Sequence, residues 1–394
     1  MSQRILLLNC GSSSIKYQLL DPQVGVPEAV GLVERVGLEV GTITHEVGGE
    51  EFQEARRFAD HTEGVAAVVK MFEEHGPTIH DVVAVGHRTV HGGSTFVESV
   101  KIDDQVIAKL VELSDLAPLH NPPGIAGISA AMQILPDVPH VAVFDTAFFS
   151  TLPAEAYTYA INYDTTHDLG VRKYGFHGTS HSYVSKKAAE FLGRPLGELK
   201  TIVCHLGNGA SISAVDGGVA VDTSMGLTPL QGLVMGTRSG DVDPGLHKYL
   251  MRTGMSIDAV DTLLNKKSGM QGMCGYSDMR DVKSAIDAGD EKAKLALDVY
   301  VHRLLSYIGS YIAVLGGVDA LVFTAGVGEN ADHIRKMVVD RLAFYGLTLD
   351  EEANKVRSKE PRRISTEDSK VQVLVVPTNE ELAMAQETVT VIGR

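Results

Sequence analysis

Apolar and polar positions along this chain fall into short runs that predict strands and helices taken in turn. Ile5 to Leu8 and Ile15 to Leu20, rich in Ile, Leu and Tyr, predict two strands, with Gly11-Ser12-Ser13-Ser14 as the hairpin turn between them. Alternation at Gly41 to Val47 and Glu50 to Phe58 predicts further strands. His61 to His75 has helical spacing, and Val82 to Val85 is an apolar strand. Helical periodicity returns at Ile102 to Leu113 and Pro123 to Leu135, ahead of a strand at His140 to Phe144. Loops rich in Tyr and Gly fill 157–175, and Thr179 to Leu192 predicts a helix. Leu295 to Leu315 is the longest helical pattern, and the strand Asp319 to Thr324 feeds a turn running from Ala325 to Asn330. A strand at Val371 to Val376 and a helix from Asn379 to about Val391 complete the pattern.

The opening pattern recurs. KTIVCHLGNGASISAVDGG, residues 200–218, again runs strand, Gly-rich turn, strand, with a cysteine before the turn as in LLLNCGSSSIK. Backbone N–H groups of such turns can wrap an anion, with Asn9 and Lys16 at the edges of the first and Asn208 and Ser211 in the second. A single Gly-Ser turn is most simply a polar hairpin without a ligand. Its duplication half a chain later predicts two similar domains closing on one polyphosphate.

Composition changes this picture only at its edges. With 394 residues the chain can bury two ordinary cores, and 44% apolar with 22% charged residues is a globular balance. A net charge of -15 disfavours nucleic acid and anionic membrane as partners, so cations that meet a nucleotide must be concentrated locally. Cys10, Cys204 and Cys274 are an odd number with no CxxC spacing and read as small, reduced core residues of a cytoplasmic protein. MSQRILLLNC is too short an apolar run for a signal peptide, and YIAVLGGVDALVF is broken by Asp319, so no membrane segment is expected.

Polar clusters stand where strands run out, which is where open α/β sheets bind ligands. They are GHRTVHGG with Arg88, APLHNPPG with His120, FDTAFF with Asp145, YGFHGTSH with His177, GTRSGDVDPG with Arg238 and PTNEE with Glu380. Taken singly, a loop arginine is most simply a solvated ion pair and a lone histidine a satisfied core or surface residue. Asp243-Pro244 reads as a helix cap followed by Pro. The spacing His177-x-x-x-His181 fits zinc, but Gly178 stands where the zincin motif has its glutamate, and no third ligand is signalled.

Together these segments, spread over essentially the whole chain, resemble the acetate kinase family: LLNCGSSSIK, IVCHLGNGASISAVDG, GHRTVHGG, APLHNPPG, FDTAF, YGFHGTSH, TPLQGLVMGTRSGDVDPG, TAGVGEN and PTNEEL. The resemblance implies an α/β fold of two duplicated actin-like (ribonuclease H-like) domains with a central nucleotide cleft, at 1–150 and 151–382, with a last helix of about 383–394 packing back on the first. It also implies reversible, Mg2+-dependent transfer of the ATP γ-phosphoryl group to acetate, with Mn2+ as a substitute ion, by a cytoplasmic homodimer. Carried over residue by residue, Arg88, Asp145, His177 and Arg238 become the catalytic set. Asn9 and Glu380 hold the metal. Val90, Leu119, Phe176 and Pro229 surround the acetate methyl, with His120 on phosphate or acyl oxygens. Ser12, Ser14, Lys16, His205, Gly207, Asn208 and Gly209 face the phosphates, and Asp278, Arg280, Gly326, Gly328 and Asn330 form the nucleoside pocket.

The chemistry agrees with that assignment. Phosphoryl transfer needs charge stabilised and reactants held in line, which forked guanidiniums and an imidazole donor supply. Acetate is already ionised, so no strong base is required. Three departures from the family pattern are Phe149 where histidine is usual, Gln231 where glutamate is common, and a GYSDMRD loop one residue short, which puts Asp278 in question as a ribose contact. Two rival readings are a propionate or butyrate kinase of the same superfamily and, from a different class, an ATP-gated binding module like actin or Hsp70. Acyl length in a coupled assay separates the first. The paired arginines and histidine weigh against the second.

Overall fold

The computed structural model describes residues 3–118 and 120–393, so Leu119 lies outside the described residues. The chain divides into two compact units. One is the chain up to Ser150 together with the segment from Asn379, and the other is Thr151–Thr378.

In the first unit the strands are β1 (Ile5–Cys10), β2 (Ser14–Leu20), β3 (Pro27–Glu34), β4 (Gly41–Val47), β5 (Glu50–Arg56), β6 (Ala84–Thr89), β7 (Val100–Lys101) and β8 (His140–Phe144). They form one sheet in the order β5-β4-β3-β2-β1-β6-β8-β7. The pairs β1–β2 and β2–β3 are antiparallel, while β1–β6 and β6–β8 are parallel. Strand period two sends Leu6 and Leu8 to one face and Ile5 and Leu7 to the other. Leu6 and Leu8 share a core with Val68 and Phe72 of the helix His61–His75. Ile5 and Leu7 pack with Met384 and Ala385 of the helix Glu380–Ile392. Gly86 permits this second contact, because a Cβ there would lie 2.6 Å from Thr388 Oγ1. A close approach of that helix to β6 sets Glu380, its first residue, beside the strand end that carries Arg88.

The second unit contains β9 (Lys200–Leu206), β10 (Ala210–Asp216), β11 (Val219–Thr223), β12 (Ala320–Thr324), β13 (Arg362–Arg363) and β14 (Gln372–Val375), in the order β11-β10-β9-β12-β14-β13. Again the hairpin pairs are antiparallel, and β9–β12 and β12–β14 are parallel. Five strands of each unit therefore repeat one topology: β3-β2-β1-β6-β8 and β11-β10-β9-β12-β14. The duplicated hairpins are the first two strands of each repeat. The 25-residue helix Glu291–Leu315 starts on an Asp290 cap, ends at Gly316 in the left-handed region (φ 64°), and buries Tyr300, Leu304, Ile308 and Tyr311 against this unit.

Some local features differ from the sequence pattern, which also lacked the helices Gly245–Arg252, Ile257–Lys266, Gly269–Cys274, Met279–Asp287 and Asp332–Arg341. Strand β3 shows no clear alternation because Gly31 occupies the place beneath the Tyr17 ring, where a Cβ would sit 2.1 Å from Tyr17 Cζ. Strand β11, the other third strand, is also missing from the pattern. Ala325–Asn330 is a short helix rather than a turn, entered through Ala325 at φ 63°. All three cysteines are free, and Cys204 alone is fully buried. Among the described residues no helix is long and apolar enough to cross a membrane.

Candidate active site

In the first unit the polar residues gather at the carboxyl ends of the parallel strands. Arg88 lies near the end of β6, and Asp145 follows β8 with its backbone N–H donating to Thr89 O at 3.0 Å. The guanidinium clasps the carboxylate through Nε to Oδ1 (3.0 Å) and Nη2 to Oδ2 (2.7 Å). The Asp145 side chain is 3% exposed and that of Arg88 26%, so the pair is largely desolvated with one guanidinium edge left open. Asp145 holds the Arg88 pKa above its ordinary value against the opposing effect of burial. Burial pushes the Glu380 carboxyl up to about 7, with Arg88 pulling the other way.

Asn9 pairs with Lys16 across the first hairpin. Asn9, Lys16, Arg88, Glu380 and Glu381 line one hollow of about 470 Å³ that continues along the sheet past Gln18 and Thr44. Its turn is tight, with Gly11 N–H donating to Ser14 O at 2.8 Å and His61 Nε2 held 2.8 Å from Gly11 O. Ser12 is exposed and Ser14 half-buried. Val90 is half-buried just beyond β6, and half-buried His120 stands at the start of the helix Asn121–Ile134.

In the second unit the turn Gly207-Asn208-Gly209 follows β9, and the short helix Ala325–Asn330 follows its parallel neighbour β12. Asn208 is exposed, and Gly236 lies so close that a Cβ there would clash with its side-chain oxygen. His177, at φ 61°, leads into the helix Gly178–Leu192, and its ring stacks on His205 with centroids 4.3 Å apart. A Cβ built on Gly209 would lie 3.5 Å from Arg238 Nη1 and 3.6 Å from His177 Cε1. Turn, imidazole and guanidinium thus converge on one spot. Arg238 Nη1 donates to Pro229 O at 3.2 Å, and burial lowers its pKa. Arg238 takes part in no salt bridge among the described residues. Phe176, next to His177, is buried and Pro229 half-buried.

The remaining residues named from sequence stand elsewhere in this unit. Asp278 caps the helix Met279–Asp287 and binds the exposed Arg280 side chain at 2.6 Å, which lowers the Asp278 carboxyl to about 2. Gly326, Gly328 and Asn330 all belong to the helix after β12, where Asn330 Nδ2 donates back to Gly326 O at 2.8 Å.

Sequence reasoning missed the residues that hold these groups. Ser180 Oγ bridges His205 Nδ1 and Thr378 Oγ1, each at 2.8 Å. Arg335 is 1% exposed and donates to Gly328 O, Asn354 Oδ1 and Asn354 O. The zinc spacing also has another use: His177 and His181 both bind the Ser211 hydroxyl, at 2.9 and 2.7 Å. Among the described residues no three His, Cys, Asp or Glu side chains cluster to hold a metal ion.

Comparison with known proteins gives this arrangement a family. The model of the acetokinase family matches residues 4–386. The acetate kinase of Clavibacter sepedonicus is 53% identical over 392 residues, 99% of each chain, and that of Carboxydothermus hydrogenoformans 51% identical over 99% of each. The crystal structure of Porphyromonas gingivalis acetate kinase superposes with a TM-score of 0.95 at 44% identity, covering 99% of this chain and all of that one. A propionate kinase from Francisella tularensis gives 0.93 at 42% identity over 98% and 99%. With a family match of this length and actin-like neighbours over the full fold, the chain belongs to the acetokinase family, phosphotransferases with a carboxylate acceptor.

Proposed function

We propose that this chain transfers the γ-phosphoryl group of ATP to acetate, reversibly, giving acetyl phosphate and ADP. One observation carries the reading: Arg238 is a half-buried guanidinium without a carboxylate salt bridge among the described residues, converging with His177 on the Gly209 turn. Such a site is incomplete without an anion. A transferring phosphoryl group supplies one, and its equatorial oxygens suit the fork of Arg238 and an imidazole N–H. Arg88, fixed by Asp145, offers a second guanidinium whose open edge can orient acetate or take developing charge.

The nucleotide phosphates are assigned to the turns at Ser12, Ser14 and Lys16 and at His205, Gly207, Asn208 and Gly209. The nucleoside is assigned to Gly326, Gly328 and Asn330, with Asp278 and Arg280. The acetate methyl is assigned to Val90, Phe176 and Pro229, and its oxygens to His120.

The donor set fits Mg2+ or Mn2+ as an accessory ion. Glu380 and the Asn9 amide line one hollow, and two such oxygen donors suit an ion completed by water and phosphate oxygens. Such an ion would neutralise charge on the phosphates. A cytoplasmic homodimer is proposed on the family resemblance.

Incubation with MgATP, acetate and hydroxylamine tests the reading, because acetyl phosphate is trapped as acetohydroxamate. Hydroxamate that requires both ATP and acetate is expected. ATP hydrolysis at the same rate with and without acetate, and no hydroxamate, would overturn it.

A further inference from the structure

His177 and His181 stand one helical turn apart, while Ser211 and Ser213 are two residues apart on β10, so each pair presents its side chains to the other. The result is a file of alternating serines and histidines. Ser213 Oγ lies 2.7 Å from His181 Nδ1, His181 Nε2 lies 2.7 Å from Ser211 Oγ, and Ser211 Oγ lies 2.9 Å from His177 Nδ1. His181, Ser211 and Ser213 are completely buried.

Each hydroxyl has one proton to donate and each neutral imidazole one N–H, so the file can run in either of two directions. Burial, reinforced by the His205 ring, holds His181 well below its ordinary pKa and therefore neutral at pH 7. In the first direction Ser213 donates to His181 Nδ1, His181 Nε2–H donates to Ser211, and Ser211 donates to His177 Nδ1. Each proton between Ser213 and His177 then has an acceptor within the file, and a His177 ring with a single N–H carries it on Nε2. In the second direction the Ser213 proton turns away from His181, and among the described residues no second partner of Ser213 Oγ is present. A buried hydroxyl without an acceptor is disfavoured.

We infer that Ser213, His181 and Ser211 form a positioning relay that fixes His177 as its Nε2–H tautomer. The hydrogen is then on the nitrogen 3.7 Å from the Cβ point of Gly209, itself 3.5 Å from Arg238 Nη1. Imidazole and guanidinium are in this way both donors to one spot. The value of the relay to catalysis rests on the proposed role of His177 toward the phosphoryl group; the tautomer does not.

The full chain labelled with 15N-histidine, with the His177 resonances assigned by comparison with His177→Gln, tests this by NMR at neutral pH. The expected result is a protonated Nε2 and an unprotonated, hydrogen-bonded Nδ1. In Ser213→Ala the two tautomers should mix and kcat should fall about tenfold, with KM for acetate unchanged. Ser213→Thr, which keeps the hydroxyl, should restore both. A wild-type His177 with its hydrogen on Nδ1 overturns the relay, as does Ser213→Ala with unchanged tautomer and kcat. If Ser213→Ala does not fold, the wild-type spectrum decides alone. Full activity in His177→Gln would instead overturn the catalytic role of His177, so the two failures are told apart.

Discussion

Arg88 and Asp145 are joined by two near-parallel hydrogen bonds, 3.0 and 2.7 Å, between the ends of adjacent parallel strands. The clasp orients one edge of the guanidinium, and the proposed function gives the rest to substrate. Loss of one such preorganised donor typically removes about 2.7 to 4 kcal/mol of transition-state stabilisation. Arg88→Ala should therefore lower kcat/KM by that amount, and Arg88→Lys should recover little, because an ammonium cannot reproduce the fork. Arg88→Ala also strands a buried carboxylate, so its melting temperature should fall, whereas Arg88→Ala/Asp145→Asn should regain stability without regaining turnover. Parallel loss of both properties in every variant would make Arg88 a purely structural residue.

His87 and His140 give the fold a calculable response to acid. His87 Nε2 lies 2.9 Å from His140 Nδ1, and His140 Nε2 lies 3.0 Å from Leu135 O, so a neutral pair satisfies every recorded contact. Burial holds His87 well below the ordinary histidine pKa and lowers His140 as well. With folded values depressed, the unfolded chain binds more protons below about pH 6.5. Stability is then full above that pH and is lost as pH falls, by up to about 1.4 kcal/mol per pH unit for each histidine that stays neutral. Denaturant titrations at pH 7.5, 6.5 and 5.5 should show this slope, and His87→Asn should remove about one proton's share of it. An unchanged slope in the variant would mean that His87 takes up its proton in the folded state.

The acyl pocket can be tested at Val90, half-buried just past the strand that carries Arg88. Val90→Ala makes room for about one substrate carbon, worth about 0.8 kcal/mol per buried methylene. The ratio of kcat/KM for propionate to that for acetate should rise a few-fold, chiefly through KM, because the methyl end is remote from the transferring group. Equal losses on both acids would place Val90 outside the pocket.

What was legible in the sequence, and what was not, follows from which contacts are local. The hairpins β1–β2 and β9–β10 could be read because alternation and turn residues lie within a few positions, and their repetition marked a duplicated topology. Arg88 and Asp145 could be suspected because they follow apolar strands, where open α/β sheets bind ligands, and because the motifs around them match one family. Strand β3 was hidden because Gly31 answers to the Tyr17 ring, fourteen residues away in sequence and adjacent only in the sheet. Ser213 and His181 look like ordinary members of a strand and a helix. Their role arises from the register between the two elements, which no single segment contains.

Arg335 is the clearest case of a residue hidden in this way. In DHIRKMVVDR it reads as one more charged position on a helix, yet it is 1% exposed and binds Gly328 O at 2.8 Å, Asn354 Oδ1 at 2.8 Å and Asn354 O at 2.6 Å. Burial without a carboxylate clasp lowers its pKa to about 10. It is charged at neutral pH, and its bonds tie the helix Ala325–Asn330 to Asn354, whose Nδ2 donates in turn to Asp332 O at 3.0 Å. Arg335→Lys keeps the charge but cannot make three directed bonds, leaving buried acceptors unmet at about 1 to 3 kcal/mol each. Denaturation should show a loss of that order. If Gly326, Gly328 and Asn330 hold the nucleoside, KM for ATP should rise several-fold while KM for acetate and kcat change little. Loss of stability with both KM values unchanged would confine Arg335 to the core of its unit; a fall in kcat with both KM values unchanged would instead tie that helix to phosphoryl transfer and remove it from the nucleoside pocket.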